Sequence, residues 1–158
     1  MNKKAQTEYP DWIDPAVVGK ETDPVEFPLE RGKIREFAKA IKEDDPVFSE
    51  IEAARNAGFG NIPIPITYPQ VLKHFAEKKH EIKYPFSNEK LLHGEYAVEY
   101  HRHPVAGETL WVSSCIVDAF EKGGKRGGKM KFVIVEQRFR DEQKKDVLTV
   151  RNTVLEIE

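Results

Sequence analysis

Two groups of residues in this chain carry side chains suited to chemistry. The first is the acidic run Glu43-Asp44-Asp45, followed by Pro46, Val47 and Phe48. Neighbouring carboxylates can divide acid and base work, one giving a proton while another takes it. The same run also suits an exposed loop that ends a helix, because charged side chains stay in water. The second group is His93, Glu95, Glu99, His101 and His103. Imidazole and carboxylate are metal ligands. On a straight strand these odd-numbered positions face one way, opposite Leu92, Tyr96, Val98 and Tyr100. At about 3.3 Å per residue, five such positions span too far to hold one ion. A solvated or interface face is therefore expected, and no metal.

Two further features offer less. Gly123-x4-Gly128-Lys129 fits most of a phosphate-binding loop, but Met130 stands where a Ser or Thr would hold magnesium. Lys129–Val135 reads as strand, so the helix N-terminus that binds the anion is missing. A hairpin tip is expected, with Lys125, Arg126 and Lys129 able to meet an anionic partner. Cys115 lies mid-strand and is expected to be a buried small apolar residue rather than a nucleophile.

The elements that position these residues follow from spacing. Val25, Phe27 and Leu29 alternate within Thr22–Leu29, and Pro24 and Pro28 confine that strand to an edge. Ile34, Phe37, Ala38 and Ile41 recur at helical spacing over Glu30–Ile41, which ends before Pro46. A short helix is expected over Glu50–Ala57, stopped by Gly58. Ile62-Pro63-Ile64-Pro65-Ile66 must be extended, because alternating prolines forbid helix and remove ladder donors. Thr67-x-x-Gln70 reads as a capping box opening a helix over Tyr68–Lys79, with Val71, Leu72 and Phe75 on its buried face. Four strands follow as a meander, Leu91–Arg102, Leu110–Glu121, Lys129–Arg140 and Asp146–Glu158, with a tight turn at Pro104 and Gly107 between the first two. The long strand Leu91–Arg102 is expected at an edge. An edge of that length needs a partner, so a dimer is expected. The pattern is α+β.

The chain has 158 residues, which fits one domain, with residues 1–9 expected to fray. Charged residues make up 33% of it at a net charge of −2, a balance that implies no nucleic-acid partner. One cysteine fits a reducing compartment, no apolar run reaches membrane-span length, and Met1–Trp12 lacks the apolar stretch of a secretory signal. The expected place of work is the cytoplasm.

The run HGEYAVEYHRHPVAGETL, His93–Leu110, resembles a segment of the MaoC-like acyl-thioester dehydratases, in particular their N-terminal FAS1-type half. Those chains read HGE-x-E-x-EYHRP-x-x-AGDTL. Here His103 is inserted before the proline and Glu108 replaces the usual Asp. The resemblance runs from about Pro15 to the C-terminus. It implies a hot-dog fold, a curved antiparallel sheet wrapped around a central helix. Catalytic relatives carry Asp-x-Asn-Pro-x-His, whose Asp and His activate the water that adds to an enoyl thioester. Aligned on Pro46, Glu43 takes the Asp position, Asp45 the Asn and Phe48 the His, so the imidazole is gone. The resemblance therefore implies the non-catalytic subunit of a heterodimeric (R)-specific enoyl-thioester hydratase or 3-hydroxyacyl-thioester dehydratase. It also implies an acyl channel lined by Ile64, Pro65 and Ile66, with His93 and Gly94 near the acyl pocket or subunit interface. The substrate would be a thioester of coenzyme A or acyl carrier protein, with no cofactor. Two other readings stay open. One is a self-sufficient homodimeric dehydratase or thioesterase using Glu43, Asp44 or Asp45 with a histidine such as His93. The other is a protein that binds acyl groups without chemistry.

Overall fold

The computed structural model describes residues 9–74, 82–124 and 128–157. Five strands form one antiparallel sheet: β1 (Val25–Pro28), β2 (Leu91–Tyr100), β3 (Thr109–Gly123), β4 (Lys129–Arg140) and β5 (Asp146–Ile157). Helix α1 covers Arg31–Ala40 and α2 covers Ile51–Asn56. Short 3-10 turns fill much of the remainder, at Pro15–Val17, Pro46–Phe48, Tyr68–His74 and Asn88–Lys90.

The sheet order is β1-β3-β4-β5-β2. β3, β4 and β5 form the expected meander, but β2 does not lie beside β3. It pairs instead with the far side of β5, Tyr100 facing Leu148 and Leu91 facing Glu156. Residues 101–108 therefore cross the end of β4 and β5 instead of making a tight turn. Sequence order suggests neighbours because adjacent strands usually pair; here the crossing overrides that tendency. β1 and β2 become the two edges, as the prolines of one and the length of the other suggest.

β2 also departs from simple alternation. His93 pairs with Val154 and Glu95 with Thr153, leaving Gly94 as an extra, bulged residue. A bulge inverts the side-chain alternation beyond it. By register, Leu91 and His93 share a face with Tyr96, Val98 and Tyr100. Leu92 lies on the opposite face with Glu95, Glu99 and His101, and it is 48% exposed. The histidines and carboxylates expected on one face are thus split. The glycine has a local cause: a Cβ there would stand 2.9 Å from Leu155 Cδ2 and 3.4 Å from the Thr153 carbonyl oxygen.

The inner face of the sheet carries the core as two apolar clusters. The larger gathers Phe27, Leu110, Val112, Phe139, Leu148 and Val150 under Ile34, Ile62, Tyr68 and Leu72. The smaller joins Ile116, Ala119, Val133, Val135 and Val154 beneath Trp12 and Ile13, with Ile82, Tyr84 and Phe86 against its flank. α1 contributes Ile34 and Ala38, both buried, as its spacing requires. The expected helix over Tyr68–Lys79 is a 3-10 helix over Tyr68–His74. Its i to i+3 character begins where Pro65 and Thr67 carbonyls accept from Tyr68 and Gln70 amides at 2.9 and 3.1 Å, and Pro69 can donate no bond of its own. Leu72 is buried and Val71 half-buried against the core, as expected; residues 75–79, including Phe75, lie outside the described residues. So do Lys125, Arg126 and residues 1–8. Among the described residues no helix is long and apolar enough to cross a membrane.

Candidate functional site

The acidic loop leaves α1 through Lys42, whose φ of 58° turns the chain back so that the Glu43 amide reaches the Ala38 carbonyl at 2.9 Å. Glu43, Asp44 and Asp45 are exposed. Two of them hold the loop's own backbone. Glu43 Oε1 accepts from the Asp45 amide at 3.2 Å, and Asp45 Oδ1 accepts from the Val47 amide at 2.9 Å, capping the turn Pro46–Phe48. A side-chain oxygen at a helix N-cap satisfies a donor that the turn leaves free. Val47 packs on the larger cluster and Phe48 is half-buried. The loop itself contains no imidazole. What it offers chemically is a solvated carboxylate or two, without the second proton carrier that hydration requires.

The proline-rich segment meets the crossing 101–108 in a short ladder. Ala106 donates to the Ile62 carbonyl at 2.8 Å, Ile64 donates to the Pro104 carbonyl at 3.4 Å, and Pro63 bridges Val105. Asn61 ties both ends, its Nδ2 donating to the Ala106 carbonyl at 2.8 Å and its Oδ1 accepting from the Ile62 amide at 2.9 Å. Ile64 and Pro65 are consequently buried, whereas Ile66 is 66% exposed. Of the three residues expected along an acyl channel, only Ile66 lies on the surface, and its carbonyl accepts from Tyr100 Oη at 3.4 Å.

The crossing is held by the side chains of Arg102, His103 and Glu108. Arg102 forks onto Glu108 through both terminal nitrogens, Nη1 to Oε1 at 3.0 Å, and Glu108 Oε1 also accepts from the Val105 amide at 2.8 Å. His103 stacks on Tyr100 at 5.0 Å between centroids and meets Phe59 edge-on at 5.6 Å. His101 Nε2 lies 3.3 Å from Thr149 Oγ1. His93 is exposed beside the bulge. The described histidines are thus distributed over separate neighbours, and among the described residues no group of three His, Cys, Asp or Glu is placed to hold a metal.

Three tyrosines that the sequence reading does not single out line the inner face. Burial pushes the Tyr68 phenol up to about 12, with Glu30 adding to it, and the Tyr100 phenol up to about 12. Tyr96 is raised further, by burial first and then by Tyr100, with a side-chain hydrogen bond from Gln70 opposing. All three remain protonated donors at neutral pH. The signal in sequence is present but weak: Tyr96 and Tyr100 sit at apolar positions of β2, where a phenol is the one polar group. Cys115 is buried, and burial, followed by the charge of Glu21, raises its thiol, which keeps it un-ionised. At the hairpin tip Lys129 reaches Glu121 at 3.4 Å.

Comparison with known proteins bears on this arrangement. A family model described as FAS1-like, dehydratase domain region, matches residues 16–150. A UPF0336 protein of Clavibacter michiganensis is 36% identical over 100 residues, 60% of this chain and 64% of that one. The match thus spans a little under two thirds of that relative. One from Leifsonia xyli is 30% identical over 116 residues, 70% of this chain and 76% of the other. Among solved structures, a MaoC-like dehydratase superposes with a TM-score of 0.76 at 23% identity, covering 90% of this chain and 42% of that chain. The truncated HadBC (3R-hydroxyacyl-ACP dehydratase) complex of Mycobacterium tuberculosis gives 0.72 at 22%, covering 88% and 96%. The ChsH1-ChsH2 complex of the same organism gives 0.68 at 19%, covering 87% and 89%.

Proposed function

Because the chain belongs to the FAS1-like dehydratase domain family and has the α+β hot-dog fold of the MaoC-like dehydratases, we propose that it is an acyl-thioester-binding subunit of an (R)-specific enoyl-thioester hydratase or 3-hydroxyacyl-thioester dehydratase. In this reading it works in the cytoplasm beside a second hot-dog chain that carries the acid–base pair, and it needs no cofactor. The observation that carries the reading is the acidic loop. Phe48 occupies the position where an imidazole would be needed, and Asp45 is engaged in capping its own turn. A general acid–base group contributes about 10²–10⁴-fold to such a step, so this loop cannot supply the rate by itself. Two structural neighbours are complexes, HadBC and ChsH1-ChsH2, which supports a two-chain arrangement here.

The acyl group would run past Ile66, the exposed member of the proline-rich segment, with Ile64 and Pro65 shaping the wall behind it. His93 and Gly94, at the bulge of the edge strand, would lie nearer the subunit contact. The test is steady-state hydration of enoyl thioesters by the chain alone, by the co-purified complex, and by the complex carrying Glu43→Gln. The expected result is turnover only by the complex, changed no more than a few-fold by Glu43→Gln, and a shifted acyl-length preference in Ile66→Trp. Robust turnover by the chain alone, abolished by Glu43→Gln, would instead establish a self-sufficient enzyme.

A further inference from the structure

The outer face of the sheet carries an apolar row that reaches the surface. The register sets Phe120 of β3 against Phe132 of β4, Phe132 against Leu155 of β5, and Leu155 against Leu92 of β2. Directly opposed residues share a face. The chain neighbours Ala119, Val133 and Val154 point the other way, into the smaller core cluster, and none of the four belongs to either cluster. Phe120 and Phe132 stack, with ring centroids 5.0 Å apart at 11°. Phe120, Phe132 and Leu155 are half-buried, and Leu92 is 48% exposed. The next outer row, toward the β3–β4 hairpin, adds Met130 and the exposed Ile157.

Charges flank the row and select what covers it. The outward residues of β3 here are Asp118, Phe120 and Lys122, a carboxylate and a cation one step either side of the ring. Each step is about 6.8 Å. Asp118 Oδ1 accepts from the adjacent Ala119 amide at 2.8 Å. The Lys122 ammonium rests on the aromatic pair, 5.0 Å from the Phe120 centroid and 5.5 Å from that of Phe132. Among the described residues neither makes an ion pair. The order carboxylate, ring, cation is its own complement. A second copy laid face to face, its β3 antiparallel to this one, brings Phe120 over Phe120, Lys122 over Asp118 and Asp118 over Lys122. A two-fold axis along the row generates this contact, and two-fold contacts must be self-complementary. Each Lys122 would exchange a weak ring contact for a carboxylate. An apolar ligand or an anionic lipid surface would leave Asp118 without a cation.

We propose that this outer face docks a second copy of the chain, through the stacked aromatic row and two reciprocal Lys122–Asp118 pairs. The contact leaves the edge of β2 free, because edge pairing uses backbone groups in the plane of the sheet and the row projects out of it. It therefore stands apart from the acyl-thioester reading, and it can join two subunit pairs as well as two single chains. The experiment is sedimentation velocity of the full chain, with its partner where the two co-purify, from about 5 to 500 µM. Four strands and three outer rows span only about 14 by 14 Å between backbone positions. An interface that small should double the mass with a Kd of about 10–100 µM. Lys122→Asp and Asp118→Lys each set like charges opposite one another, and each should weaken association at least about tenfold. An equimolar mixture of the two variants should restore it, because every facing pair then joins a carboxylate to an ammonium. Circular dichroism of both variants establishes that they are folded. No doubling of the wild type up to the highest concentration overturns the proposal. Doubling that neither variant weakens also overturns it, and places the contact elsewhere, such as the edge of β2. Loss in both variants without recovery in the mixture overturns the reciprocal pairing and with it the second copy as occupant.

Discussion

Arg102 and Glu108 stand at the two ends of the crossing between β2 and β3, and their side chains close it as a two-point fork. Glu108 extends the closure inward by taking the Val105 amide, and Arg102 extends it outward toward Asp141 at 3.9 Å.

Removing one end of this fork should loosen the crossing without unfolding the sheet. Arg102 is 42% exposed and Glu108 26% exposed, so solvent weakens their attraction. Arg102→Met is expected to cost about 1 kcal/mol, and Glu108→Ala more, about 2 kcal/mol, because it also frees the Val105 amide. Chemical denaturation of both variants and the double variant measures the coupling. A coupling near zero would mean that the fork is incidental.

Acid should destabilise the fold through carboxylates held by cations and amides. Burial pushes the Glu136 carboxyl up, but Arg138 at 2.7 Å and Arg151 at 2.8 Å more than reverse this and hold it below the usual range. Arg140 and Ser113 lower Glu21, and the Ser87 amide and Lys131 lower Glu156. A carboxyl with a lowered folded pKa stabilises fully above its unfolded value of about 4.3 and loses that contribution as pH falls through the folded value. Tm should be level from neutrality down to about pH 5 and then fall. Glu136→Gln should cost about 1–3 kcal/mol at pH 7 and flatten the acid limb. A Tm profile that is unaltered in shape would refute the assignment.

Alkali acts through the inner face. The Tyr68, Tyr96 and Tyr100 phenols are all raised by burial. Their stabilisation is complete below the unfolded tyrosine value of about 10 and is lost as pH rises toward the folded values. Unfolding monitored from pH 8 to 12 should show a steep decline above about pH 10, made shallower by Tyr68→Phe. Because Tyr68 Oη is buried without a partner, that substitution should also leave neutral stability equal or higher by up to about 1 kcal/mol.

The bulge at Gly94 offers a test by double substitution. A methyl group there meets Leu155 Cδ2 at 2.9 Å, the tip of a side chain that can move. Gly94→Ala is expected to cost about 1–2 kcal/mol in the wild type. In a Leu155→Ala background it should cost less than half of that. Equal costs in both backgrounds would place the strain in the backbone instead.

The sequence is most legible where local physics decides. Ile34, Phe37 and Ala38 announce α1 because a helix buries one stripe, and Pro24 and Pro28 announce an edge because they cannot donate to two neighbours. It is least legible where one residue changes a count. The bulge at Gly94 shifts His93 to the face opposite Glu95, and an alternating pattern cannot show that a residue is extra. The crossing 101–108 is similar, since a Pro and a Gly mark a change of direction but not the distance travelled. In the acidic loop, the absence of an imidazole is plain from Phe48, whereas the capping role of Asp45 is a matter of backbone geometry. That Tyr96 faces Asn152 is hidden because the two come from strands whose pairing the sequence order does not suggest.

The position of β2 has a kinetic consequence. β3, β4 and β5 are joined by short hairpin connections, so their pairing closes small loops and can form early. β1 must find Leu110 and Val112 from the far end of the chain, and β2 must pass two strands to reach β5. In a refolding experiment followed by pulsed hydrogen exchange, amides of the three central strands should gain protection first and those of the two edges last. In the native protein the same hierarchy runs in reverse. The edge β2, with its bulge, should open at a lower free energy than the centre, so that the strand proposed to lie nearest a partner is also the one that breathes first.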